Sequence, residues 1–481
     1  MRTLIISLPL ILLVSSLHAQ AHRQLFLDPA SVHEVRHASL HVNPAQQREV
    51  IIRPDKPWEQ LTITFFSSVI DDNGKLRLWY VCRDKDNQPN VAYAESTDGI
   101  QWTKPSLGIV DYHGSKDNNL VGMTSLEGNV FKDPNASPQE RYCYITHLMS
   151  DGIIRFHSPD GLHWQRDAKA LIPLGADTQN VTLWDPNLGK YAIYLRGWFK
   201  RDKKPYRHVV RGELQSTTTP LAVGPSEKSY RPWGKDKIAV IGDELPTVFE
   251  MDEHDPAETD VYNIAAVLYP LDTRWYLGFP SVFQHEGHPS KGRLEPQFTG
   301  SCDGIHWQRY DRQAYAPLGL AGSDNENMIF MSTGMAIRGD EIWQYGTGLR
   351  TKHGDMESRK LRTDGIIYRY VQRVDGFVSL DFDLEGGQAT TAPVTVEDRL
   401  LQINLDTGAM GSLRIALLDE QGKVIPGFTA EDSIVMHTNA THATASWKGG
   451  DDLSALKGHQ IQLQLTGTRC KVFSYFFNSP R

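Results

Sequence analysis

Apolar and polar residues alternate with a period of two through most of the chain beyond residue 60, which predicts strands. Residues 61–68, 76–82 and 91–96 read as three antiparallel strands, the first two joined through the turn Asp71-Asp72-Asn73-Gly74. The plan recurs at 142–148 and 153–158, at 180–184 and 191–196, at 261–269, 275–279 and 297–300, and at 328–337, 341–346 and 365–371. Almost no helix is predicted beyond the first twenty residues.

One phrase punctuates these strands. Ser96-Thr97-Asp98-Gly99-Ile100-Gln101-Trp102 returns as Ser158-Pro159-Asp160-Gly161-Leu162-His163-Trp164 and as Ser301-Cys302-Asp303-Gly304-Ile305-His306-Trp307. Asp-Gly between alternating runs signals a tight hairpin, because glycine accepts the positive φ such turns need. The Trp that follows is large enough to fill the gap between neighbouring sheets, so Trp102, Trp164 and Trp307 are expected buried there. A shorter echo, Asp375-Gly376-Phe377-Val378-Ser379, lacks the Trp. The spacing from Asp98 to Asp160 is close to that from Asp303 to Asp375, and that from Asp160 to Asp303 is about twice either. The long gap fits one unit with a degraded turn, its relic being Tyr230-Arg231-Pro232-Trp233, and the count becomes five. These periods exceed the roughly 40–50 residues usual for four-stranded propeller blades, which long inter-strand loops accommodate. Three chance hairpins in an ordinary β-sandwich are the competing reading.

The expected fold is therefore all-β, with a five-bladed β-propeller over 22–384, a linker at 385–392 and a small β-sandwich over 393–481. Leu25-Phe26-Leu27 is a candidate strand to close the ring. Glu385-Gly386-Gly387 through Pro393 reads as the linker from its glycines and its proline. Beyond it, 400–405 and 460–465 still alternate but the repeat is gone, which suits a sandwich.

At the other end, Arg2 precedes a largely apolar stretch over 4–17, and Ala19-Gln20-Ala21 fits a small-x-small cleavage site. The stretch is too short for a membrane span. Residues 1–21 read as a signal peptide, which predicts a secreted or periplasmic protein starting near His22, with no membrane span. A net charge of −8 without a basic block argues against nucleic acid as a partner. Eleven Trp and eighteen Tyr serve mostly as core, and stacking on sugar faces would use the same residues. Cys82, Cys143, Cys302 and Cys470 show neither close pairing nor metal spacing, so buried free thiols are expected over a disulfide framework. The sequence assigns no oligomeric state.

A propeller brings the innermost strand of every blade to a central funnel, so acids at the start of those strands converge from distant positions. Glu59, Asp133, Asp177, Asp260 and Glu326 stand near the first strands of successive units. Glycosidic cleavage needs two facing carboxylates, one a proton donor and the other ionised as nucleophile or base. For any one of these acids alone, a turn cap or solvated loop residue is the plainer reading. Trp58, Arg196 and Trp198 are candidates to stack on or clamp a sugar. His353 is a candidate for substrate or a central ion, against the commoner role of a hydrogen-bonded structural histidine. Lys200-Arg201-Asp202-Lys203-Lys204 reads as a solvated loop. No cofactor is required, and the channel leaves room for a structural cation.

The five-unit pattern, the Ser-x-Asp-Gly-x-x-Trp turns and Phe131-Lys132-Asp133-Pro134 resemble the five-bladed propeller glycosidases, among them the invertases and levanases of glycoside hydrolase family 32 and the arabinanases and xylosidases of family 43. Lys56-Pro57-Trp58-Glu59, Trp184-Asp185-Pro186, Asp260-Val261-Tyr262 and Asp340-Glu341-Ile342-Trp343-Gln344-Tyr345 look like phrases of secreted bacterial members. The resemblance covers about 25–480 and implies an exported glycoside hydrolase acting on an oligo- or polysaccharide. It also implies that Asp133 matches the transition-state stabiliser of the invertase Arg-Asp-Pro motif, with Lys132 in place of the Arg. The invertase nucleophile motif is absent from the first unit, where Glu59 is the nearest acid, and the Glu-Cys motif is absent too. Asp133 leads the candidates, followed by Asp260, Glu59 and Asp177. The rival readings are a carbohydrate-binding propeller without catalysis and a structural or protein-binding propeller.

Overall fold

A computed structural model describes residues 22–124, 127–231, 237–355 and 363–479. Residues 1–21, expected to be a signal peptide, lie outside the described residues, as do Pro232 and Trp233 of the proposed relic turn. Among the described residues there are strands and three single-turn 3-10 segments, and no α-helix. The chain is all-β, as its period-two alternation predicts.

Antiparallel sheets follow one another along the chain. The first holds Thr62–Asp72, Lys75–Arg83 and Pro89–Ser96, with Thr103 and Leu120 bridged to its last strand. Gly128–Lys132, Tyr142–Leu148, Gly152–Ser158 and Gln165–Arg166 form the second. The third holds Val181–Asp185, Lys190–Arg201, Lys204–Leu214 and Thr247–Phe249. The fourth runs from Thr259–Leu268 to Tyr276–His285, whose far edge pairs with both Gly292–Pro296 and Thr299–Ser301. A parallel bridge at Leu294 and Met328 joins it to the fifth set, Met328–Met331, Glu341–Leu349, Ile366–Arg373 and Gln46–Ile52. Each first strand touches the first strand of the next sheet from Thr62–Asp72 through Thr259–Leu268; Met328–Met331 packs back on Thr62–Asp72, and just beyond it Thr333 forms a parallel bridge with Ser68.

The strand that joins chain start to fifth sheet is Gln46–Ile52, not Leu25-Phe26-Leu27. Gln46–Ile52 is exposed over most of its length, as an edge strand is, whereas Leu25, Phe26 and Leu27 are all buried in the C-terminal core. Gln24 and Leu25 pair with Tyr475 and Ser474. The expected linker also differs: Gly387–Thr391 is a strand between Val32–Arg36 and Gln460–Thr468. Ala389, Thr390 and Thr391 are buried there; Gly386 closes the turn that enters the strand and Gly387 is its first paired residue. The two C-terminal sheets share one core, Leu380, Leu401, Ile403 and Val472 from one meeting Ala389, Ile415, Leu463 and Leu465 from the other. Residues 22–42 therefore belong with 378–479.

The repeated phrase builds the same loop three times. Ser96 Oγ accepts from the Gly99 amide at 2.7 Å, and Asp98 Oδ1 accepts from Ile100 and Gln101 at 2.9 and 2.8 Å. Ser158 with Asp160, and Ser301 with Asp303, repeat this pattern. Pairing resumes only at Thr103, Gln165 and Gln308, so these are capped seven-residue loops and not tight hairpins. Trp102, Trp164 and Trp307 are half-buried, not buried. What presses into the neighbouring sheet is the glycine: its carbonyl accepts from Tyr345 at Gly99, from Trp79 at Gly161 and from Tyr194 at Gly304.

The described cysteines are free. Cys82, Cys143 and Cys470 are buried, and Cys302, in the third loop, is exposed. Among the described residues, no helix is long and apolar enough to cross a membrane.

Candidate active site

The sequence spreads acids through the chain, and the fold collects only some of them. Glu127 directly precedes Gly128–Lys132, Asp177 stands four residues before Val181–Asp185, and Asp260 is the second residue of Thr259–Leu268. These are the entry ends of three successive first strands. Glu127 and the segment after Asp177 are tied by backbone: the Glu127 carbonyl accepts from the Asn180 amide at 3.3 Å and from Asn180 Nδ2 at 2.6 Å.

Asp177 is held by the third sheet. Arg196 Nη1 donates to Asp177 Oδ1 at 3.0 Å and to its carbonyl at 2.7 Å, and Trp198 Nε1 donates to the same Oδ1 at 3.3 Å. Arg196 also donates from Nε and Nη2 to the Tyr262 carbonyl at 3.2 and 2.6 Å and lies 4.2 Å from the Tyr262 ring centroid. Burial works against the Arg196 charge, but Asp177 and Tyr262 outweigh it and raise its pKa. Tyr262 OH is 3.0 Å from His353 Nε2, and His353 Nδ1 is 2.8 Å from the Ser290 carbonyl. Of the four candidate sugar contacts, Arg196 and Trp198 hold Asp177 directly and His353 is joined to them through Tyr262, while Trp58 is not among them.

Asp260 belongs to the same cluster but is sealed. Its Oδ2 accepts from the Arg207 amide at 3.0 Å and from Arg207 Nη1 at 2.9 Å, and His285 Nε2 stands 3.3 Å from Oδ1. Burial pushes this carboxyl up, yet Arg207 and His285 win, and its pKa is lowered. Arg207 in turn stacks over Trp198 at 4.7 Å. Asp260 therefore fixes the guanidinium beneath Trp198 and has little face left for a substrate.

Glu127 is the acid the sequence reading missed. Its Oε2 lies 2.7 Å from His147 Nδ1, and about a third of its side chain stays exposed, against a quarter for Asp177. Burial lowers the pKa of nearby Arg83, and the Glu127 charge opposes that shift. A signal was present: Glu127-Gly128-Asn129 leads into Val130 much as Asp177 to Asn180 leads into Val181, and Asn129 Oδ1 accepts from the Thr182 amide at 2.8 Å. The acid before the strand stands at its entry end, as Asp177 and Asp260 do for theirs; the acid after it, Asp133, stands at the exit end.

Asp133 follows the exit of Gly128–Lys132. Tyr191 donates to its Oδ1, Thr217 to its Oδ2 at 3.0 Å and the Asn135 amide to Oδ1 at 2.9 Å. Glu59 is 0 % exposed, and accepts from Tyr80 at 2.5 Å, from Lys104 at 2.7 Å, and from the Asp55 and Lys56 amides. Trp58 is buried beside it, with its indole donating to Asn119. Glu326 caps the Gly322 amide at 2.6 Å. Asp133, Glu59, Trp58 and Glu326 are bound into local structure away from Asp177.

Two residues beyond Asp177, side chains link the entry segment of the third sheet to its neighbours. Gln179 Nε2 donates to the Ser67 carbonyl at 3.2 Å, and Asn263 Nδ2 donates to Gln179 Oε1 at 3.2 Å, so the segment entering the third sheet is tied to first strands of the first and fourth. Among the described residues no group of three or more His, Cys, Asp or Glu is placed to hold a metal ion.

No family model and no curated protein matches the chain. Solved structures do. The chain is similar to a Bombyx mori GH32 beta-fructofuranosidase, at 9 % identity over 95 % of this chain and 96 % of that one, with a TM-score of 0.40. A family 43 arabinoxylan arabinofuranohydrolase from Bacillus subtilis aligns at 11 % identity over 87 % and 96 %, with a TM-score of 0.37. An N-acetylgalactosamine deacetylase from F. plautii aligns at 14 % over 70 % and 96 %, with a TM-score of 0.44.

Proposed function

We propose that the first five sheets are the blades of a five-bladed propeller, that the two C-terminal sheets form a β-sandwich completed by residues 22–42, and that the protein is an exported glycoside hydrolase. Support for the ring comes from the side-by-side first strands and from the return of Met328–Met331 to Thr62–Asp72. Export rests on the signal-like composition of residues 1–21.

The observation that carries the catalytic reading is a pair of partly exposed carboxylates, Glu127 and Asp177, at the entries of adjacent first strands linked through Asn180. Two such groups flanking a glycosidic oxygen are what its cleavage requires. Their surroundings divide the work. Asp177 faces Arg196, a guanidinium that keeps its proton, and serves as the anion that stabilises or attacks the sugar carbon. Glu127, oriented by His147 and with about a third of its side chain exposed, serves as the proton donor to the leaving oxygen. Trp198, Tyr262 and His353 surround the sugar, and Asp260 positions Arg207. The reading requires no cofactor.

The test is a screen of purified protein against polysaccharides, including arabinan, levan and arabinoxylan, reading release of reducing ends. Release by the wild type that is lost in Asp177→Asn supports hydrolysis. Binding without release identifies a carbohydrate-binding propeller instead.

A further inference from the structure

A concave site lies beside the first sheet, and none of Glu127, Asp177 and Asp260 lines it. It is a cleft of about 630 Å³ between residues 56–60, the turn at Lys85 and Asp86, and the loop over 104–119. That size falls within the roughly 300–1,000 Å³ of small-ligand sites.

Three rings run along it. Trp58 meets Tyr112 edge-on with centroids 5.5 Å apart at 77°, and Tyr112 meets His113 at 4.4 Å and 80°. Trp58 is 7 % exposed and forms the back of the row, Tyr112 is half-buried, and His113 is exposed. His113 holds φ at 52°, in the left-handed region that costs a residue with a side chain. Such strain persists where the surrounding loop enforces it, and here it lies in the wall of a cleft.

Polar groups complete the picture. The Asn118 and Asn119 amides are committed to the loop and the sheet, since Asn118 donates to Val110 and Ser115 and Asn119 to Tyr80 and Tyr93. Lys104 is neutralised by Asp55 and Glu59. The side chains of Gln60, Lys85 and Ser106 line the cleft with no hydrogen bond or ion pair among the described residues. Aromatic rings beside uncommitted amide, ammonium and hydroxyl groups suit a ligand with an apolar face and a rim of hydroxyls, which describes a sugar ring.

We propose that this cleft is a second carbohydrate-binding site, taking one or two neutral sugar rings of an oligo- or polysaccharide against Tyr112 and His113, with Gln60, Lys85 and Ser106 bonding its hydroxyls. The choice of carbohydrate rests on the glycosidase reading, but the binding needs no turnover. It gives the enzyme a hold on the polymer apart from the point of cleavage.

Native gels containing soluble arabinan, levan or arabinoxylan test this with the full chain. The wild type is retarded by at least one of the three. Tyr112→Ala combined with His113→Ala weakens that retardation about tenfold, the scale of losing aromatic contacts worth about 1.4 kcal/mol. Ser106→Trp, which fills the cleft without removing a ring, weakens it as well, and melting curves confirm that both variants fold. Glu127→Gln combined with Asp177→Asn remains retarded. If the hydrolase reading is wrong, no sugar is released while retardation still depends on Tyr112 and Ser106. Cleft variants that migrate as the wild type does, or a wild type retarded by none of the three polymers, overturn the inference even where sugar release is intact.

Discussion

Tyr191 donates its phenolic hydrogen to Asp133, and the same pair recurs on either side of it. Tyr142 donates to Asp72, and Tyr276 donates to Asp185. In each case the aspartate ends or follows a first strand, and the tyrosine stands at the start of the second strand of the next sheet. Burial and the aspartate both push these phenols above the usual tyrosine range, so they remain donors at any working pH. Asp133 is thus one of three clasps between consecutive sheets.

Breaking a clasp should cost stability and spare chemistry. Tyr191→Phe leaves Asp133 short of a donor inside the protein and is expected to destabilise by about 1–3 kcal/mol. Thermal melts give the loss, and initial rates normalised to folded protein should match the wild type.

Asp260 carries a pH dependence of known sign. Its pKa in the folded chain lies below the ordinary aspartate value of about 3.9, so the stability it supplies is present above that pH and is lost as pH falls through the lowered folded value. Asp260→Asn leaves Arg207 buried without its acid, at a cost of roughly 3–5 kcal/mol near neutral pH. Melting temperatures followed from pH 7 down to pH 3 should show the wild type and the variant converging toward the acid end.

The loops make a separable prediction about backbone and packing. Gly161 has φ of 75°, and a Cβ there would stand 2.8 Å from Trp79. Gly189 has φ of 63° with nothing within 4 Å. Gly189→Ala should lose about 1 kcal/mol and Gly161→Ala clearly more, since only the second must also displace the neighbouring sheet. Paired denaturant titrations would measure the difference.

Much of this was legible in the sequence. Strand pairs came from the alternation, and the Ser-x-Asp-Gly loops marked real, repeated contacts between sheets. Arg196, Trp198, Asp177, Asp260 and His353 do come together. What the sequence concealed was non-local. That Gln24–Leu25 pairs with residues near the other end of the chain follows from no local pattern. Glu127 hid beside Gly128, which reads as a turn, although that glycine is buried at the start of a strand and a Cβ on it would meet the Ile145 carbonyl at 2.0 Å. Asp133 drew attention through its proline motif, but it follows the exit of Gly128–Lys132, at the opposite end from Glu127.

Two purified variants compared on the polysaccharide that yields sugar decide between the mouth and the motif. Glu127→Gln and Asp133→Asn each replace one acid by its amide at opposite ends of the Gly128–Lys132 strand. The predicted result is a loss of about 10²–10⁴ in rate for Glu127→Gln, the usual contribution of a general acid, with Asp133→Asn retaining its rate per folded molecule. Full activity in a folded Glu127→Gln protein, with the loss falling on Asp133→Asn instead, would contradict the placement of catalysis at the entry mouth.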